Sequence, residues 1–242
     1  MHRLSGLLAG LVFILLATAG CVSFSPTVSV VHDAVYPAAG LAIFQLENQN
    51  GYVTVTGWDQ DQVQVRALNG RQVSNVSVAV FGDRMTVRTL SASPVGIGMQ
   101  LDYEIRVPRA LQRVELASAN GRIEVDDYNG TIDAETSNGA IRLTGTRTFE
   151  RLSTSNGRID AEVRSLDADA LATTSNGAVR ILISPSVNAT VDARTSNGRI
   201  AVSGLALNAT STGQNQVTGT LGTGGNTLRV ETSNGEITLG PL

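Results

Sequence analysis

SNGAIRL, residues Ser137 to Leu143, returns eighteen residues later as SNGRIDA, Ser155 to Ala161, and this recurrence decides how the chain reads. The same line stands at Ser118-Ala119-Asn120-Gly121-Arg122-Ile123-Glu124-Val125 and at Ser175-Asn176-Gly177-Ala178-Val179-Arg180-Ile181. It stands again at Ser196-Asn197-Gly198-Arg199-Ile200-Ala201-Val202 and at Ser233-Asn234-Gly235-Glu236-Ile237-Thr238-Leu239. From one Asn to the next the steps are 18, 18, 20, 21 and 37 residues. The last step is about two units, so Ser211-Thr212-Gly213 is expected to be a degraded middle copy. Self-similarity at such periods marks an array of stacked units.

The columns of the repeat carry the physics. Two places after each Gly stand Ile123, Ile141, Ile159, Val179, Ile200 and Ile237. Four places after stand Val125, Leu143, Ala161, Ile181, Val202 and Leu239. Positions two apart on a strand share a face, so these columns form an inward aliphatic stripe. The column between them, Glu124, Arg142, Asp160, Arg180, Ala201 and Thr238, points outward, and its first four members alternate in sign. One place after Gly, Arg122, Arg158 and Arg199 are separated by Ala140 and Ala178.

Two architectures fit a period of two with Asn-Gly turns. Asn-Gly is a strong hairpin signal, and a further turn at Asn129-Gly130 would suit an antiparallel meander. There, equivalent strands would lie about 9.6 Å apart, whereas in a parallel solenoid they stack at about 4.8 Å. Direct stacking accounts for alternating charge, because like charges side by side repel. It also accounts for a constant Asn-Gly half beside a half of variable length, since insertions in solenoids collect on one face. The reading is therefore all-β, a parallel β-helix-like solenoid with coils of about 18–21 residues. Its corners are Asn120-Gly121, Asn138-Gly139, Asn156-Gly157, Asn176-Gly177, Asn197-Gly198 and Asn234-Gly235. Gly suits a corner by tolerating positive φ, and stacked Asn side chains form ladders.

Outside the repeat, the chain opens on Met1-His2-Arg3, a short positive start. The apolar run Leu7 to Ala17 and the small residues Thr18-Ala19-Gly20 follow, and then Cys21, the only cysteine. This pattern is a secretory signal. Residues Leu4 to Gly20 number 17, short of the roughly 20 a spanning helix needs. Small residues before a lone Cys resemble a lipoprotein processing site, with Cys21 lipidated, although Thr18 stands where Leu is usual. The expected organisation is a signal peptide over 1–20, a lipidated Cys and tether over 21–40, and one β-solenoid domain over 41–242. Within it, 41–110 would form irregular coils and 111–242 the regular repeats.

A formal net charge of −3 gives no basic patch for nucleic acid. The one histidine after the leader, His32, is expected as a solvated side chain in the tether, so no Cys/His metal set can be assembled and a Ser-His-Asp triad would have to use that single His. Glu124, Asp126, Asp127, Asp133 and Glu135 crowd into the first strict coils. Carboxylates at suitable separations could work on sugars or bind Ca²⁺, but Asp126-Asp127-Tyr128-Asn129-Gly130 is also ordinary turn composition. Trp58, the only tryptophan, is expected to cap the first coil.

An opening NGYVTVTGWDQDQVQV (50–65), a middle LDYEIRVP (101–108) and the serial TSNG coils together resemble the DUF4097 family, an adhesin-like family of unknown function. The resemblance covers Leu41 to Leu242. It implies a right-handed β-helix-like fold on envelope proteins and brings no catalytic residue, metal or cofactor. The function expected is a non-enzymatic, lipid-anchored adhesin-like binding or structural module of the cell envelope. Its partners would be the membrane, through the anchor, and an envelope glycan or surface protein. The alternatives are a polysaccharide-acting β-helix enzyme and an envelope-stress sensor.

Overall fold

Every second side chain of Ile123-Glu124-Val125-Asp126 is buried, and the equivalent strands repeat the pattern. This is the geometry of strands with one face on a core. The computed structural model describes residues 29–71, 73–91 and 100–242; the leader and Cys21 lie outside them.

The first strands are β1 (Val30–Pro37), β2 (Ile43–Asn50), β3 (Val53–Trp58), β4 (Gln62–Arg71), β5 (Val73–Phe81), β6 (Arg84–Ser91) and β7 (Gln100–Pro108). The middle of the chain gives β8 (Arg113–Asn120), β9 (Ile123–Asp126), β10 (Thr131–Thr136), β11 (Ile141–Thr144), β12 (Thr148–Thr154), β13 (Ile159–Val163), β14 (Ala170–Asn176) and β15 (Val179–Ile183). The last third gives β16 (Ala189–Asn197), β17 (Ile200–Val202), β18 (Leu207–Thr212), β19 (Gln216–Leu221), β20 (Thr227–Asn234) and β21 (Ile237–Pro241).

They form two large, mostly parallel sheets, one of ten strands and one of eleven. Each coil contributes one strand to each sheet, and every coil except β6/β7 turns from one to the other at its Asn-Gly corner. Glu124 stands beside Arg142, Arg142 beside Asp160, and Asp160 beside Arg180. The charge column is thus a row of direct neighbours, and the meander is excluded for the body of the protein. Between the sheets lies one aliphatic core that includes both predicted inward columns. Ile141, Ile159, Val179 and Ile237 are fully buried, while Ile200 and Val202 are only half-buried because β17 is the edge of its sheet.

The coils do not stack in chain order. From one end to the other the order is β6/β7, β2/β3, β8/β9, β10/β11, β12/β13, β14/β15, β20/β21 and β16/β17. The C-terminal coil is therefore inserted between two earlier ones, with Arg180 and Ala201 both beside Thr238. The insertion pairs the last coil on both edges and sets Glu236 against Arg199 at 3.1 Å.

Three expectations need correcting. Ser211-Thr212-Gly213 is no degraded coil: β18 and β19 form an antiparallel hairpin closing at Gly213, where the Gly213 N–H donates to the Gln216 carbonyl. Nor is all of 21–40 a tether. β1 pairs antiparallel with β4 and packs Val31 and Tyr36 against the core, covering an edge that β4 would otherwise expose. Third, β4 and β5 run antiparallel to their partners, so the N-terminal end is closed by reversed strands rather than by irregular coils. Finishing a sheet this way limits the open edges that invite aggregation.

Candidate functional site: the stacked corners and the outer faces

The Asn side chains form one continuous ladder. Asn120 Nδ2 donates to Asn50 Oδ1 at 2.8 Å, Asn138 to Asn120 at 2.7 Å, and Asn156 to Asn138 at 2.8 Å. Asn176 then donates to Asn156, Asn234 to Asn176, and Asn197 to Asn234, each at 2.9 Å. The ladder follows the spatial order of the coils, not the chain order. An Asn amide offers two N–H donors and an oxygen with two lone pairs. An interior rung spends one donor and one lone pair on its neighbours. The exposed remainder faces solvent beside Ser137, Ser155 and Ser175.

Gly is required here by contact rather than by torsion. A Cβ on Gly157 would run into the carbonyl oxygen of Gly139, and one on Gly177 into that of Gly157. Among these corners only Gly51 has positive φ, at 117°, so the positive-φ reason expected from sequence does not hold for the others. That same carbonyl receives a buried hydroxyl: Thr154 donates to Gly139 O at 3.0 Å and Thr174 to Gly157 O at 3.0 Å. Thr136, Thr195 and Thr232 repeat the bond. The repeat reading passed over this Thr column, although the Thr before each Ser-Asn-Gly was its visible sign. In the first strict coil Ser118 takes the place, and its buried hydroxyl has no partner.

The acidic cluster separates in three dimensions. Glu124 and Asp126 lie on the outer face of one sheet, and Asp133 and Glu135 on that of the other. Glu124 pairs with Arg122 at 3.2 Å and Asp133 with Arg113 at 3.3 Å. Burial pushes the Asp126 carboxyl up from its usual range, and Glu124 and Asp127 push the same way against Arg142. Burial also raises Asp133, against the pull of Arg113 and Arg151. Asp127 sits at the turn with φ 54°, the left-handed region that Asp enters more readily than most residues.

Burial raises the hydroxyl pKa of Tyr103 to about 12, with Thr89 at 2.9 Å. It also raises that of Tyr128, which donates to the Leu111 carbonyl at 2.7 Å. Neither tyrosine is placed for proton transfer near neutrality.

His32 lies on β1 and meets the Tyr36 hydroxyl at 3.0 Å. Trp58 does not cap the coil. It is half-buried on the outside, its Nε1 donating to the Gln62 carbonyl at 2.7 Å and Arg106 lying 5.8 Å from its ring centroid. Its coil is not the outermost, since β7 lies beyond β3.

The variable corner opposite the Asn ladder opens a cleft of about 570 Å³. Asp59, Arg109, Gln112, Asn129, Arg147 and Asp167 are among its lining residues. Arg147 is held by Asp167 at 2.9 Å and Arg109 by Asp59 at 3.5 Å, so both guanidiniums are oriented and balanced in charge. Sequence reading missed this site because the corner's length and composition change from coil to coil.

These features define a class of all-β proteins built from stacked parallel coils with Asn-Gly corners. The chain belongs to the Toastrack DUF4097 family, whose profile matches residues 37–240. Among solved structures it is similar to a candidate cell adhesion protein from Clostridium sporogenes, with a TM-score of 0.56 at 10% identity over 90% of this chain and 100% of that one. A candidate adhesin from Bacteroides fragilis gives a TM-score of 0.43 at 9% identity over 90% and 98% of the two chains. No curated protein matches.

Proposed function

We propose that the protein is a non-enzymatic, adhesin-like binding module of the cell envelope, exported and held to a membrane by a lipid on Cys21. The coils wind in a right-handed sense in this reading. The observation that carries binding is the cleft at the variable corner. Its walls are planar polar side chains of balanced charge, Arg109 and Arg147 against Asp59 and Asp167, joined by Gln112 and Asn129. Such groups pair with vicinal hydroxyls and amides, the surface chemistry of an envelope glycan or of a polar protein loop. The name of the similar Clostridium sporogenes structure, a candidate cell adhesion protein, supports the same reading.

A screen of the full chain against cell-wall and glycan ligands tests it, with Gln112→Ala and Arg147→Ala in parallel. Binding that both substitutions weaken, with the circular dichroism spectrum unchanged, is the expected result. Binding indifferent to both would remove the cleft from the account, and cleavage of any polysaccharide would overturn the non-enzymatic reading.

A further inference from the structure

The two ends of the stack differ in chemistry. At the end formed by β1, β4, β5 and β6, large apolar side chains stand in the open: Phe81 is 91% exposed, Val80 55%, Val30 54% and Val35 49%. Phe81 sits at the tip of the β5–β6 hairpin, beside Gly82 at φ 60°. From Val73 to Phe81, β5 carries no charged side chain. The other end, formed by β17, β18 and β19, has no exposed large hydrophobic among the described residues. β18 there exposes Asn208, Thr210, Ser211 and Thr212.

We propose that the apolar end is a bilayer-contacting surface, with the Phe81–Gly82 tip entering the membrane interface and the stack standing on that end. The proposal rests on the Cys21 anchor argued above. Cys21 precedes Ser29 by eight residues, which span at most about 29 Å. Ser29 leads directly into β1, the outermost strand of its sheet, and β1 packs across β5, the outermost strand of the other. A lipid on Cys21 therefore keeps this end, and not the β18 end, within reach of the bilayer. A bilayer surface can cover the whole set, because the exposed groups lie on two strands of different sheets and on a turn. A second copy pairing along β5 would cover that edge but leave Val30 and Val35 in water. Exposed apolar surface at an anchored end adds to the acyl chain in holding a protein at the interface.

The test uses the full, lipid-modified chain in vesicles of phosphatidylcholine and phosphatidylglycerol that carry a nitroxide on the acyl chains. Phe81→Cys and, separately, Ser211→Cys receive an environment-sensitive fluorophore. The expected result is a blue-shifted, quenched label at 81 and a water-like, unquenched label at 211. Flotation with the vesicles reads the anchor independently. A chain that floats while both labels stay unquenched overturns this inference alone, and a chain that fails to float removes the anchor and the inference together. A dimer that Phe81→Asp converts to monomer would assign the end to a second copy and also overturn it.

Discussion

Gly157 shows how little freedom a single position has in this fold. Its missing Cβ lets the Gly139 carbonyl approach from one coil, while its own carbonyl accepts the Thr174 hydroxyl of the next. Gly157→Ala must push two coils apart and should cost about 1–3 kcal/mol, the range for overpacking, read as a lower urea midpoint. The Asn-Gly signal was legible in sequence, but its cause was not: positive φ is a local inference, whereas the approach of a neighbouring coil appears only once the register is known. Asp126 is a second residue-scale case. Its folded-state pKa lies above the usual value through burial and the neighbouring Glu124 and Asp127. The folded chain thus holds that proton more tightly than the unfolded one. The stability this confers is complete below the usual carboxylate range and is lost as pH rises through the raised pKa. Asp126→Asn should therefore raise the melting temperature at neutral pH, and the gain should shrink to nothing as the pH falls below the unfolded carboxylate range. A gain that persists at acid pH would point to another cause.

Among elements, the ladder and the strands make separate predictions. Asn156 is an interior rung with two amide bonds and Asn197 is a terminal rung with one. At about 0.5–1.5 kcal/mol net for each hydrogen bond, Asn156→Ala should cost about twice as much as Asn197→Ala. Chemical denaturation measures both, and equal losses would mean the rungs are not coupled as a ladder. Within the strands, Ile159 is fully buried and Arg142 exposed. Ile159→Ala should cost about 2–5 kcal/mol and Arg142→Ala about 0–1 kcal/mol. The inward stripe was readable because alternation and an eighteen-residue period reinforce each other in every copy. The charge row was read in register too. Its carboxylates, however, pair with the arginine at the corner just before their own strand, Glu124 with Arg122 and Asp160 with Arg158 at 3.5 Å, and not with Arg142. Sequence columns set which residues are neighbours, and rotamers then choose among several nearby arginines.

At the scale of the whole molecule, the two ends were the least legible part. Repeats specify how one coil meets the next but carry no mark of which copy is next. The 37-residue step therefore looked like a lost coil when it is a hairpin excursion followed by insertion. The added strands β1, β4 and β5 lack the Ser-Asn-Gly signature, so the stretch before residue 41 was read as a tether. The variable-corner cleft was hidden for the same reason. The central claim is a parallel stack whose last coil is inserted out of order, and paired cysteines test it most directly. Arg180 and Thr238 are register neighbours on adjacent parallel strands, about 4.8 Å apart, within the range a disulfide spans. With Cys21 replaced by Ser, Arg180→Cys with Thr238→Cys should form a disulfide under mild oxidation. Arg180→Cys with Ala201→Cys, two strands apart, should remain reduced. A bridge between 180 and 201 with none between 180 and 238 would mean that the coils stack in chain order, contradicting the account.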